Sequence, residues 1–434
     1  MIITNATILT MNATDSVYED SGLAIKNNII VDIGSSEKIR QLHAGEDEID
    51  AAGGIVMPGL INTHTHAAMV YFRGLADDLL LKPWLEDYIW PAERKFVNKK
   101  FISQALITAC AEMIKSGTTL FNDMYFFEAE AAEVLAEVGI RGVLGEVLFD
   151  LPGPNTKTPQ EGLDYTKQFI RKWKDHDLIY PAVAPHSPYA CSAELLQESK
   201  SLADQYGAVF HIHVAETRSE NEMIGEKVGS EIAYLDELGC LGSNVIACHA
   251  VWISNKDQEV LSERGVKIAH CPVSNMKLAS GIAPVPDMID RKILVGLGTD
   301  GASSNNSLNM FRTMDMTAKL HKLYKKDPAV LPARKILKMA TIEGAKILGL
   351  EQELGSLETG KKADMIIIDT SQPHLIPLFD PMSLIYTAKR SDVNTVIVDG
   401  KILMQNRKLI TIDENETIQN AIRYGHYIKE EIGN

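Results

Sequence analysis

Between about residue 55 and residue 350 one alternation recurs eight times: a short apolar run ending in a residue capable of chemistry, then a stretch with helical spacing. The runs are IVMPGLINTH, TTLFND, RGVLGEVLF, IYPAVAPH, AVFHIHVAE, VIACHA, VKIAHCP and ILVGLGTD. Helical candidates separate them, such as EAEAAEVLAEVG after the second and GSEIAYLDELG after the fifth, with apolar residues at i, i+3 and i+4. Strands that are apolar throughout must be covered on both faces, and strands separated by helices run parallel. Eight such units predict a (β/α)8 barrel, with an open doubly wound sheet as the structural alternative.

The two ends of the chain read differently. Ile2 to Ala52 and the segment after Ala363 carry short β-rich runs broken by Asn, Asp and Gly, and VDGK near residue 400 is a good hairpin turn. The expected division is a small β-sandwich shared by residues 1–54 and 356–434, the second part ending in a helix, around a barrel at 55–355. The 434 residues, 45% hydrophobic and 23% charged, have ordinary globular composition, which excludes disordered and fibrous classes. A net charge of −15 repels polyanions, so nucleic acid is not an expected partner. The five cysteines include no C-x-x-C pair and are expected as reduced thiols. No basic leader is visible and no apolar run approaches the ~18 residues of a membrane span, so a cytoplasmic protein without a membrane partner is expected.

Barrel active sites lie at the C-terminal ends of the strands. In this chain those positions hold His64 and His66, Asp123, Glu146, His186, His213 and Glu216, His249, His270 and Asp300. In an extended T-H-T-H segment residues i and i+2 face the same way about 7 Å apart, so His64 and His66 can share one ion. A closed barrel brings His213 and Asp300 across the mouth to join them. Three imidazoles and a carboxylate suit Zn²⁺ best, with Fe²⁺ or Mn²⁺ as alternatives. His211 shares the face of His213 but lies deeper, and reads as a core histidine. Glu216, three residues past His213, is placed as a general acid/base, although a first-turn helix acid would look the same. His249 reads best as a proton acceptor for the attacking water, against a ligand or a histidine bonded to backbone. GLGTDG at 296–301 satisfies G-x-G-x-x-G, but it closes the eighth run and leads into polar ASSNNS instead of opening a βαβ unit, so no dinucleotide site is expected.

The series PGLINTHTH, HVAET, CHAVW, AHCPVSNMKL, GLGTDGASSNN and GSLETGKKADMIIID resembles the amidohydrolase superfamily end to end, and within it the 5-methylthioadenosine/S-adenosylhomocysteine deaminases. The resemblance implies a barrel with a composite β-sandwich and one metal on His64, His66, His213 and Asp300. It implies hydrolytic deamination of an adenine nucleoside, with Glu216 protonating purine N1 and with His249 and Asp300 handling the water. It also implies substrate contacts from Glu93 to the ribose hydroxyls, Trp84 beside the sugar and His186 on the purine; a helix charge, a core aromatic and a strand-end hydrogen bonder are their plainer readings. A deaminase or dechlorinase of another heterocycle, such as guanine, a pterin or an s-triazine, is the runner-up. Members acting on S-adenosylhomocysteine carry arginines after the third strand, whereas residues 142–170 here contain none. Either Lys157 or Lys167 substitutes, or the pocket prefers an uncharged 5′ group. The long loop from Leu79 to Glu93 is of a kind that a partner subunit completes, so a homo-oligomer is expected.

Overall fold

In the computed structural model, which describes residues 1–433 apart from the side chains of residues 221, 225–228 and 433, all eight apolar runs supply a barrel strand. They are β1 (Leu60–Thr65), β2 (Thr118–Tyr125), β3 (Arg141–Leu148), β4 (Ile179–Pro185), β5 (Val209–Val214), β6 (Val245–His249), β7 (Lys267–His270) and β8 (Val295–Leu297). Each pairs in parallel with the next in chain order. Helices intervene, for example Glu128–Val138 between β2 and β3 and Glu231–Glu237 between β5 and β6. Buried apolar side chains from both layers form the core, as covering both faces of a parallel sheet requires.

The barrel closes where β8 meets β1. Asp300 N–H donates to the His64 carbonyl at 3.0 Å, and the Asn62 side chain brackets Thr299, accepting from its N–H at 2.9 Å and donating to its hydroxyl at 2.7 Å. The glycines of GLGTDG serve this closure. A Cβ on Gly298 would lie 2.9 Å from His64 Cβ, and one on Gly301 would lie 2.9 Å from Met69 Sδ.

The first apolar run divides between two sheets. Ile55–Pro58 pairs antiparallel with Met365–Ile368 and parallel with Ile2–Leu9, and the chain enters the barrel only after Gly59. Strands from both chain ends thus build one nine-stranded mixed sheet beside the barrel. It curls so that Asn28 and Ile30 bond to residues 360–363, enclosing a core of its own around Ile3, Leu23, Val56, Met365 and Ile397. VDGK forms the expected turn, with Asp399 and Gly400 both at positive φ between antiparallel strands. The chain ends in the helix Glu414–Gly433. Among the described residues no helix is long and apolar enough to cross a membrane.

Candidate active site

Three turns at the strand ends adopt left-handed backbone without glycine: Ala215 at φ 48°, His249 at 70° and Asp300 at 62°. Such conformations cost ~1–3 kcal/mol and persist only where the surroundings enforce them, which is commonest at functional sites. Here they deliver Glu216, His249 and Asp300 to a single cavity at the barrel mouth. His66 and His213 line it too, as do Trp84, Glu93 and His186. His64 lies fully buried against Asp300.

The imidazole tautomers follow from their partners. His66 Nδ1 donates to the Met124 carbonyl at 2.6 Å and His213 Nδ1 to the His186 carbonyl at 2.8 Å, leaving both Nε2 lone pairs free. Asp300 Oδ1 lies 3.3 Å from both His64 Nε2 and His66 Nε2, and His213 Nε2 lies 3.3 Å from His66 Nε2. His64 Nε2 is buried and makes no hydrogen bond among the described residues. A tetrahedral ion bound at ~2.0–2.1 Å spaces its ligand atoms ~3.3 Å apart. His64, His66 and Asp300 bring their donor atoms within 4.8 Å of one another, and His64, His213 and His249 do the same, so the mouth has the donors to hold a divalent cation. Asp300 Oδ2 is held by the hydroxyls of Ser274 at 2.6 Å and Ser304 at 2.8 Å, which fixes the direction of Oδ1.

Burial dominates the titration of Glu216, Glu93, His186 and His249. It pushes the Glu216 carboxyl up to about 8, with Asp300 adding to the rise, so Glu216 carries a proton at neutral pH. Burial raises Glu93 to about 7, against the opposing pull of Tyr125 and His66. His186 is lowered to about 3 by burial and neighbouring imidazoles, and His249 is lowered mainly by burial; both are neutral. His249 Nε2 lies 3.6 Å from Glu216 Oε2. Its Nδ1 meets Asn275 Nδ2 at 3.0 Å, while Asn275 Oδ1 is buried without a hydrogen-bond partner among the described residues. A half-turn of that amide would let Oδ1 accept from Nδ1–H and free Nε2 to take a proton.

The amidohydrolase family profile matches residues 55–403. The chain belongs to the amidohydrolase family. This amidohydrolase is 44% identical to 5-methylthioadenosine/S-adenosylhomocysteine deaminase 1 of Syntrophus aciditrophicus over 99% of its own length and 98% of the relative's. It is 47% identical to the 5′-deoxyadenosine deaminase of Methanosarcina mazei, covering 97% of this chain and 96% of that one. Its structure matches that of a zinc-bound adenosine deaminase from Xanthomonas campestris with TM-score 0.97 and 34% identity, over 99% and 98% of the two chains.

Not every strand-end residue of the amidohydrolase faces the cavity. Asp123 accepts from Ala67 N–H at 2.8 Å, Glu146 accepts from Phe127 and Glu128 N–H groups, and His270 pairs with His321 at 3.1 Å. These pin loops and helices. His211 is buried as expected, but it is more than a core histidine: its Nε2 lies 3.0 Å from His64 Nδ1 and orients that ring. Ser274, Asn275, Ser280 and Ser304, which hold Asp300, His249 and Glu216, were not legible in the sequence. The run SNMKLAS after the seventh strand and ASSNN after the eighth give only their residue types.

Proposed function

We propose that the protein is a hydrolytic deaminase of adenine nucleosides, replacing the 6-amino group by a 6-oxo group and releasing ammonia. The observation that carries this reading is Glu216: a buried carboxyl 3.6 Å from His249 that shares a cavity with His66, His213 and Asp300. His64, His66, His213 and Asp300 would hold one divalent cation, zinc in this reading, which supplies Lewis acidity and draws the pKa of a water toward ~7. His249 and Asp300 orient the attacking water and take its proton. Glu216 donates to purine N1, which makes C6 electrophilic; after water adds at C6, proton transfer to the amino nitrogen releases it as ammonia. Neutral His186 hydrogen-bonds the purine. Glu93 accepts from the ribose hydroxyls, with Trp84 along the sugar; the Trp84 indole N–H is buried without a hydrogen-bond partner in the described structure, so a ligand can satisfy it. A buried acid at Glu93 has no counterpart in a bare guanine, pterin or triazine ring, which weighs against that runner-up.

The cavity also bears on the 5′ substituent. Phe126, Phe149, Leu151 and Pro152 give it an apolar wall, and the Lys157 ammonium, outside the lining, donates to the Gly153 carbonyl at 2.9 Å. Among the lining residues Arg94 is the only Lys or Arg. An amino-acid tail would find a single exposed cation, so 5′-methylthioadenosine, adenosine and 5′-deoxyadenosine should be turned over faster than S-adenosylhomocysteine. Ammonia release over these four compounds tests the reading. Activity on free bases or triazines with none on nucleosides would overturn it.

A further inference from the structure

We infer that Ser280 is a positioning residue for Glu216 and that Trp252 holds Ser280 in place, an inference that rests on reading Glu216 as the proton donor. One short segment after β7 reaches all three proton-handling groups: Ser274 bonds to Asp300, Asn275 meets His249, and Ser280 Oγ donates to Glu216 Oε1 at 3.2 Å. Ser280 is 5% exposed, and its hydroxyl makes the only hydrogen bond to the Glu216 side chain among the described residues. The other carboxyl oxygen faces His249 at 3.6 Å. A buried acid with one anchor takes its orientation from that anchor. Without it, the carboxyl rotates about its terminal bond and the proton is aimed at N1 only part of the time.

Ser280 itself is set by a bracket built on Trp252. The indole Nε1 donates to the Ser280 carbonyl at 2.6 Å. The Trp252 backbone N–H donates to the Ala215 carbonyl at 2.9 Å, directly before Glu216. One tryptophan therefore ties the turn that carries the acid to the turn that carries its anchor, from a loop that begins at His249. The anchoring turn is shaped to receive it: Ala279 lies at φ 54°, Ser280 N–H closes on the Asn275 carbonyl, and Gly281 sits at φ 132°. A Cβ on Gly281 would lie 2.8 Å from Val251 Cγ1 and 3.3 Å from the indole nitrogen, so the close approach of Trp252 requires glycine there.

The test is a set of variants assayed on an adenine nucleoside, with Glu216→Gln run alongside. Ser280→Ala should lower kcat ~10–100-fold, as expected for losing a hydrogen bond to an ionisable group, while KM moves far less. Ser280→Thr, which keeps the hydroxyl, should retain most of the turnover. Trp252→Phe keeps an aromatic ring but loses the indole N–H; it should lower kcat in the same direction, and the double variant with Ser280→Ala should be no worse than Ser280→Ala alone. Wild-type kcat in Ser280→Ala, equal losses in Ser280→Thr and Ser280→Ala, or fully additive losses in the double variant would overturn the inference. Full activity in Glu216→Gln would instead overturn the functional reading beneath it.

Discussion

The two ends of the barrel both bury charge and treat it in opposite ways. At the N-terminal end of β3, Arg141 is fully buried and fully engaged: Nε and Nη2 fork onto Asp364 at 2.8 and 3.0 Å, Nη2 also reaches Asp399 at 2.7 Å, and Nη1 donates to the Asp177 carbonyl at 2.6 Å. Burial opposes this guanidinium's charge, but the Asp364 carboxylate outweighs it and holds the group protonated. Asp364 and Asp399 belong to the outer sheet, so this cluster fastens the two sheets together. At the mouth, by contrast, imidazole nitrogens and the Asp300 carboxylate converge on one point, and the buried Glu216 and Glu93 carboxyls are raised toward neutrality. Where every buried donor has its acceptor the charge serves stability; where donors converge on one point the region is primed to bind and react.

Breaking the mouth should cost activity and little stability. Glu216→Gln is expected to lose ~10²–10⁴-fold in kcat while keeping the wild-type melting temperature and metal content. Calorimetry and metal analysis alongside the ammonia assay check this. Breaking the base should do the reverse: Arg141→Met strands the buried Asp364 and the half-buried Asp399 carboxylates and should destabilise by ~3–5 kcal/mol in urea titration, with turnover per folded molecule unchanged.

Smaller changes sharpen the contrast. His211→Phe removes the partner of His64 Nδ1 and should weaken metal binding ~10–100-fold in chelator competition, without loss of fold. Glu128 lies between these extremes. It is fully buried with neither carboxyl oxygen bonded in the described structure, and burial, then the charges of Asp123 and Glu146, raises it well above the usual 4.5. A carboxyl raised in the folded state favours folding relative to high pH, and that contribution drains away as pH climbs from about 4.5 toward its folded value. Glu128→Gln should therefore stabilise the protein more at pH 8 than at pH 5, read from melting curves at both pH values. A uniform gain at both would assign the effect to packing instead.

Much of the mouth could be read in advance because its signals are local. H-x-H at a strand end puts two imidazoles on one face by the two-residue period alone, and His213 and Asp300 are marked by the apolar runs before them. Asp123, Glu146 and His270 carried the same mark and turned out to pin loops. Nothing within ten residues of any of them distinguishes the two outcomes, because facing the cavity depends on which segment packs behind. The split of the first apolar run at Gly59 was equally hidden. Both halves are apolar, and only the arrival of Met365–Ile368 from the far end of the chain claims one half for the outer sheet.

By itself the sequence determined the eightfold alternation, the parallel barrel and the chemically capable residues at its rim, since strand burial and side-chain period act over a few residues. The tertiary structure alone decided which of those residues meet. His211 behind His64, Ser274 on Asp300, Asn275 on His249 and Ser280 on Glu216 join residues 26 to 147 positions apart. Such pairings are set by barrel closure and the packing of loops, whose free energy belongs to the whole fold and to no single segment.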